Sequence, residues 1–337
     1  MNLMINGLPK INFKAAQPIS AGTNQMPQAN QVPVTEPLKE DTFTKTNSTQ
    51  APVYSQPSVT KAPEYSKPAS TVETSIFYIN DNHGRIGNMA RIYSAKKVYD
   101  SVNSNSTADK LVLAAGDISA GADEHIIKAA NAYMNGLGVE AISDGNHEYD
   151  ANPDVIAKSK ENAKFKSLGM NLQIPNGNPL EKVIEKSFVL EKNGHKYGII
   201  GLAPPDLHER IRDNESRKQI GVDEFEKTIK DVQNQVDEFN KQGINKIILL
   251  SHCGLSKDQR MAKEISGIDV IIGGHTHDLL KGVVENENLF YSKSNEPVII
   301  TQGGKDGEYF GDLKLTWNNE KGTIIKVQNN VISSHDF

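Results

Sequence analysis

The sequence predicts an α/β sandwich. Three observations carry this: short apolar runs alternate with amphipathic stretches, several runs are apolar at nearly every position, and most end on polar clusters, often with glycine. Strands buried on both faces read as continuous apolar runs, and strands alternating with helical patterns build sheets covered by helices. In order, the runs are SIFYI (75–79), LVLAA (111–115), VEAIS (139–143), KYGIIGLA (196–203), KIILLS (246–251), DVIIGG (269–274) and PVIITQ (297–302). Between them, residues 87–99, 123–135, 153–168, 222–241 and 257–265 place apolar side chains at helical spacing with polar opposite faces, so each is expected to be a helix. The last stretch, 311–332, reads as a hairpin turning at NNEKG (318–322).

The amino-terminal part departs from this pattern. Nine of the fifteen prolines fall within the first 70 residues, among Ser, Thr, Gln, Asn, Lys and Ala, and none of the nine histidines does. Such a segment buries too little apolar surface to offset its ordering entropy. Residues 1–72 are therefore expected to be a disordered tail or linker, with residues 5–15 as a short docking segment if the tail has a partner. Residues 73–337 are expected to form the folded domain.

Composition limits the chemistry. Charged residues make up 23% and the net charge is -5, so no broad basic surface for a nucleic-acid polymer or an anionic membrane is indicated. Cys253 is the only cysteine, so no intrachain disulfide can form and histidine must supply most soft metal ligands. No apolar run approaches the roughly 18–20 residues that span a bilayer. MNLMINGLPKINFKAAQPIS lacks the apolar core of a secretory signal, which makes the cytoplasm the expected compartment.

In α/β folds chemistry collects beyond the carboxyl ends of strands. Five of the runs end there in groups with metal-ligand chemistry: Asn80-Asp81-Asn82-His83-Gly84, Gly116-Asp117, Asp144-Gly145-Asn146-His147-Glu148, Ser251-His252-Cys253-Gly254 and Gly273-Gly274-His275-Thr276-His277. Taken singly, Asp, Asn and Gly after a strand are ordinary turn residues, and a lone His252 reads as a core or edge histidine. Their coincidence at one edge is what points to a site. In an extended chain His275 and His277 would aim both rings to the same side. The candidate ligands are Asp81, His83, Asp117, Asn146, His252, His275 and His277. Seven donors exceed one tetrahedral ion, and a closed structural zinc site more often uses thiolates. Two divalent ions fit better, with Asp117 as a candidate bridge. Mixed imidazole, carboxylate and amide donors suit Mn, Zn, Fe or Co better than calcium, with Mg also carried as a candidate.

The ordered blocks D-x-H (Asp81, His83), G-D (Gly116, Asp117), G-N-H-E (Gly145 to Glu148), H-x-G (His252 to Gly254) and G-H-x-H (Gly274 to His277) resemble the calcineurin-like metallophosphoesterases. Within that superfamily, GNHEYD with its second acid Asp150, KSFVLEKNGHKYGIIGLAPP and ITQGGKDGEYFGDLKL resemble the N-terminal catalytic domain of 5'-nucleotidases. A Ser/Thr protein phosphatase fits less well: such enzymes carry Asp-Arg-Gly soon after the G-D aspartate, where this sequence reads ISAGADE.

The resemblance implies a four-layer α/β/β/α sandwich of metallophosphoesterase type. It implies one metal on Asp81, His83, Asp117 and His277, and a second on Asp117, Asn146, His252 and His275. His147 and Asp150 would form a catalytic dyad. The implied reaction is hydrolysis of a small phosphate ester, a nucleotide being the leading candidate, by a hydroxide shared between the metals. A phosphomonoesterase of 5'-nucleotidase type is the first expectation and a phosphodiesterase the alternative. A non-catalytic binding protein on the same fold ranks below both, because the ligands and dyad are intact. Relatives of this kind are often exported. The resemblance also implies a C-terminal nucleotide-specificity domain, which the sequence to Phe337 is expected to lack. Substrate contacts are then sought in Asn82 and in LHERIRDNESRKQ (207–219), through Arg210, Arg212 and Arg217, although a solvated charged loop is the plainer reading. Tyr309 and Phe310 read as hairpin core, and Cys253 as packing.

Overall fold

A computed structural model describes Met4–Ile5, as backbone, and residues 70–337. The strands from the amino end are β1 (Met4–Ile5), β2 (Thr71–Ile79), β3 (Asp109–Ala114), β4 (Ala141–Ser143), β5 (Lys166–Leu168), β6 (Leu172–Gln173), β7 (Ile184–Glu185) and β8 (Ser187–Lys192). They continue as β9 (His195–Leu202), β10 (Gly221–Val222), β11 (Ile247–Ser251), β12 (Val270–Gly273), β13 (Leu289–Tyr291), β14 (Pro297–Thr301), β15 (Tyr309–Asn318) and β16 (Thr323–Ser333). The helices are α1 (Ile86–Val102), α2 (Glu124–Leu137), α3 (Pro153–Lys160), α4 (Leu207–Arg210), α5 (Asn214–Gln219), α6 (Phe225–Lys241) and α7 (Leu255–Glu264).

Two sheets form the frame. One runs β1-β16-β15-β2-β3-β4-β5-β7, the other β13-β14-β12-β11-β9-β8, and β6 pairs separately with β10. Side chains alternate across each strand, and the burial follows that period. From β2, Ile76 and Tyr78 enter a core shared with Ile199, Ile248, Leu250, Val270, Ile272 and Ile299 of the second sheet, so the sheets stack face to face. Phe77 and Ile79, pointing the other way, pack under Met89, Ile92 and Ala95 of α1 and Ala130 and Met134 of α2. On the far side, Leu249 and Ile271 meet Val232, Val236 and Phe239 of α6 and Met261 of α7. The layers are therefore helix, sheet, sheet, helix, as the resemblance implies. Tyr78 also crosses the interface with its polar end: its hydroxyl bonds Thr301 Oγ1, and donates to Asn329 Oδ1 at 3.0 Å.

The elements follow local chemistry. Asp123 caps α2 by accepting from the His125 N–H, and Asn152 caps α3 in the same way, with Pro153 at the first helical position. Two expectations are corrected. The helix expected over 153–168 ends at Lys160, whose Nζ is drawn onto Asp144 Oδ1 at 3.0 Å and Ser167 Oγ at 2.5 Å. Phe165 then turns into the core and Lys166–Leu168 pairs with β4 as a strand. The domain also starts before residue 73: β2 opens at Thr71, which pairs with Asn318, and Val72 is buried between the sheets. Polar Thr71, Glu73 and Thr74 hid this end of the strand. Met4–Ile5 pairs parallel to Lys326 and Val327 at the edge of β16, so it too is drawn out of the expected tail. The rest of that tail, including most of the proposed docking segment, lies outside the described residues. Among the described residues no helix is long and apolar enough to cross a membrane.

Candidate metal centre

The parallel strands β2, β3, β4, β9, β11, β12 and β14 all deliver loops to one edge of the sandwich. There six of the seven expected ligands, joined by His147, gather in overlapping groups: Asp81, His83 and His277; His83, Asp117 and His147; Asp117, His252 and His275. Within each group the donor atoms all lie within 4.8 Å of one another. His277 Nε2 is 3.4 Å from Asp81 Oδ1, and His83 Nε2 is 3.7 Å from both Asp81 Oδ1 and Asp117 Oδ2. His252 Nε2 is 3.1 Å from Asp117 Oδ2. Ligands about 2.1 Å from a tetrahedral ion stand about 3.4 Å apart, so these spacings fit the edges of a coordination shell.

The donor atoms are also turned the right way. His252 is buried, its Nδ1 lies 2.6 Å from the Ala115 carbonyl, and its Nε2 faces Asp117 Oδ2 without a well-aligned hydrogen bond. That leaves a buried nitrogen aimed at the cluster and available to a cation. Asn146, also nearly buried, leads into the turn that carries His147. His275 and His277 do not behave as an extended pair. Their φ values are 77° and 62°, and the rings part company: His277 lies 5.0 Å from His83, and His275 5.2 Å from His252. Asp81, His83 and Asp117 share this left-handed backbone, at φ 48°, 47° and 53°. Such conformations cost energy in non-glycine residues and cluster at functional sites.

The flanking glycines are required by proximity. A Cβ at Gly274 would sit 2.5 Å from the Ala115 carbonyl and 2.7 Å from His252 Nδ1. At Gly116, with φ +82°, it would lie 2.5 Å from that same nitrogen. Bare backbone lets three loops meet around His252.

Charge follows the geometry. Burial opposes ionisation of Asp117, but His252 and His83 hold its carboxyl well below the usual range. Burial likewise disfavours the His252 imidazolium, yet Asp117 and Asp81 outweigh it and push the pKa up to about 10. Burial lowers His275, and the His252 charge adds to that. The carboxylates thus recruit protons onto imidazoles that a cation would displace.

Beside these groups stands His147. Its Nδ1 is 2.6 Å from Asp150 Oδ2, its backbone N–H donates to Asp117 Oδ1 at 2.8 Å, and its ring is 5.4 Å from His83. Burial pulls its pKa down, but the bond to Asp150 and the Asp117 charge more than compensate, so it is raised. Asp150 is fixed in turn by the Gly121 N–H at 2.9 Å and the Arg212 N–H at 3.3 Å.

Residues 74–279 match the family model described as calcineurin-like phosphoesterase. The chain belongs to that family. Calcineurin-like phosphoesterases are metal-dependent phosphoric ester hydrolases, and the strand-end donors supply fitting ligands for divalent metal. The chain is 27% identical over 300 residues to the trifunctional nucleotide phosphoesterase protein YfkN of Bacillus subtilis, covering 77% of this chain and 19% of that protein. It is 28% identical over 284 residues to a probable 5'-nucleotidase of Treponema pallidum, covering 74% of this chain and 46% of that protein. A NAD 5'-nucleotidase of Haemophilus influenzae is 28% identical over 294 residues, with 78% and 48% covered. The chain therefore spans about half the length, or less, of these curated relatives. The fold matches that of a 5'-nucleotidase precursor from Thermus thermophilus with a TM-score of 0.68 at 24% identity, over 77% of this chain and 54% of that one.

The remaining expectations fare unevenly. Arg210 and Arg212 do come to the site, since Arg210 Nε donates to Asp206 at 2.8 Å and Arg212 Nε lies 3.7 Å from Asp150. Arg217 instead turns inward onto the Ile211 carbonyl. Asn82 is fully buried beside Tyr133 and Gly307. Phe310 is core, stacked on Phe77 at 4.9 Å. Cys253 is buried, its thiol donates to the Ala203 carbonyl at 3.4 Å, and burial pushes its pKa up, which suits packing. Three residues were given no role in the sequence reading. Glu148 accepts from the backbone of both the Asp117 and Gly145 loops, Asp206 faces His275, and Asp306 faces His83. Asp206 and Asp306 follow the apolar runs KYGIIGLA and PVIITQ, and the strand-end rule applied there would have found them.

Proposed function

We propose that the chain is a dinuclear phosphomonoesterase of 5'-nucleotidase type. The observation that carries this is the double membership of Asp117, which shares one donor group with His83 and another with His252 and His275. On this reading Asp81, His83, Asp117 and His277 hold one divalent cation, and Asp117, Asn146, His252 and His275 hold the other. Two such cations supply Lewis acidity and a hydroxide at neutral pH.

The protein's own groups do the rest. His147, clamped through Nδ1 by Asp150, keeps Nε2 for the substrate and protonates the leaving oxygen or stabilises charge on the phosphoryl group. Asp150 cannot swing, because two backbone N–H groups hold it. Arg210 and Arg212, at 58% and 65% exposure, present free guanidinium edges beside the cleft for substrate phosphate. Replacing His147 by alanine is expected to lower kcat by about 10²- to 10⁴-fold while bound metal is retained. Full activity in that variant would remove His147 from the mechanism.

Nucleotides are the substrate class that the names of the relatives suggest. Metal-stripped protein reloaded with Mn²⁺ should release phosphate from AMP faster than it hydrolyses bis-p-nitrophenyl phosphate. A preference for the diester would replace this proposal with a phosphodiesterase, a reading that the name trifunctional nucleotide phosphoesterase keeps in view. Inactivity on both with metal bound would favour a binding role.

A further inference from the structure

Two carboxylates outside the five sequence blocks each stand behind one histidine of the centre. Asp306 Oδ1 lies 3.1 Å from His83 Nδ1. Asp206 Oδ1 and Oδ2 lie 3.0 and 3.4 Å from His275 Nε2. In His83 the nitrogen that remains, Nε2, is the one near Asp81 and Asp117. In His275 the contact with Asp206 leaves Nδ1 as the free donor. Each carboxylate also holds an exposed arginine, Arg85 Nε at 3.3 Å from Asp306 Oδ1 and Arg210 Nε at 2.8 Å from Asp206 Oδ2. The arrangement imidazole, carboxylate, guanidinium thus occurs twice, once in each donor group.

The two carboxylates are not interchangeable with the other support in the site. His252 is held by a neutral carbonyl, that of Ala115. A carboxylate on the far nitrogen fixes the tautomer and ring direction and raises the basicity of the near one, an effect that typically changes metal affinity by about 10- to 100-fold. We infer that Asp306 and Asp206 are positioning residues, each setting the cation affinity of a different half of the centre through the imidazole it holds. The arginines offset the carboxylate charges, which keeps the carboxylates behind the rings instead of among the ligands. This rests on the two-cation reading above.

The backbone at each position permits a clean test. Asp306 has φ 57°, its N–H donates to the Asp81 carbonyl at 2.6 Å, and its own carbonyl accepts from Asn88 at 2.8 Å, so the turn is fastened without its carboxylate. Glycine suits that φ, and Asp306→Gly removes the side chain without strain. At Asp206, φ is -95° and alanine is accommodated. Mn²⁺ would be titrated against a competing chelator into wild type, Asp306→Gly, Asp206→Ala, His83→Ala and His275→Ala, with metal per chain measured by elemental analysis. Asp306→Asn would be run beside them, since asparagine also tolerates that φ and keeps a hydrogen-bond acceptor.

The wild type should bind two ions, and each carboxylate variant should keep one at wild-type affinity while the other weakens by about 10- to 100-fold. Asp306→Gly should add nothing to His83→Ala but should further impair His275→Ala, and Asp306→Asn should fall between Asp306→Gly and wild type. Unchanged affinity at both sites, or equal weakening of both in each variant, would overturn the inference while leaving the two-cation reading standing. A wild type that binds one ion would overturn both.

Discussion

An Asp117→Asn protein is expected to fold, to lose tight binding at both cation sites, and to fall in kcat by more than about 10⁴-fold, the upper range for loss of one acid–base group. Asparagine tolerates the φ of 53° found here, so the loop survives the change. The chemistry does not, because an amide offers one oxygen and no charge. In the native protein one carboxylate faces His252 at 3.1 Å and His83 at 3.7 Å through Oδ2, and takes the His147 N–H through Oδ1. Loss of its charge also removes the leading Coulombic counterweight to the burial of His252. Elemental analysis and phosphate release on the same sample separate this variant from His147→Ala, which should keep its metal. Retention of both ions by Asp117→Asn would show that the groups do not share a ligand.

Glu148→Gln is expected to destabilise the folded domain by about 2–6 kcal/mol, at about 1–3 kcal/mol for each of two backbone donors left without an acceptor. Glu148 Oε2 accepts from the Asp117 and Gly145 N–H groups at 2.8 Å each, and Oε1 from Ile118 at 2.9 Å and Ser119 at 3.4 Å. One carboxylate therefore ties the loop after β3 to the loop after β4. A glutamine has a single acceptor oxygen, and its NH₂ would point at donors. Burial, then the charges of Asp117 and Asp144, push the Glu148 pKa up to about 7. The four N–H groups favour the ionised form against this. With a shift of about 2 °C per kcal/mol for a domain of this size, thermal melting should show a drop of about 4–12 °C. A melting curve unchanged by the substitution would mean that water or rearranged backbone satisfies these donors.

The frame was legible because both faces of its central strands are covered. That makes runs such as IILL apolar throughout, and apolar runs are easy to see. The candidate ligand loops were legible for a related reason: histidine and aspartate directly after such a run have few structural duties there. Legibility failed where the contact is made by folding. Glu148 lies inside a recognised block, but its partners are backbone groups of another loop. Asp206 comes after two prolines and Asp306 within GGKDG, so both read as turns until their strands are placed beside the others. The stretch 153–168 misled because a helical pattern continues past the point where Lys160 is captured by Asp144. The geometry of His275 and His277 was misjudged for want of their φ values, since i and i+2 point alike only in extended backbone.

The left-handed loops have a consequence for ion choice. Asp81, His83, Asp117, His275 and His277 all have φ between 47° and 77°, and the backbone N–H groups of Asp81, His83 and His275 are tied to neighbouring loops through the Gly116 and Asp117 carbonyls and the Asp81 carboxylate. For the proposed cations, loops tied in this way would favour selection among Mn, Zn, Fe, Co and Mg by fit to a preset gap and by ease of shedding water there over selection by strength of attraction alone.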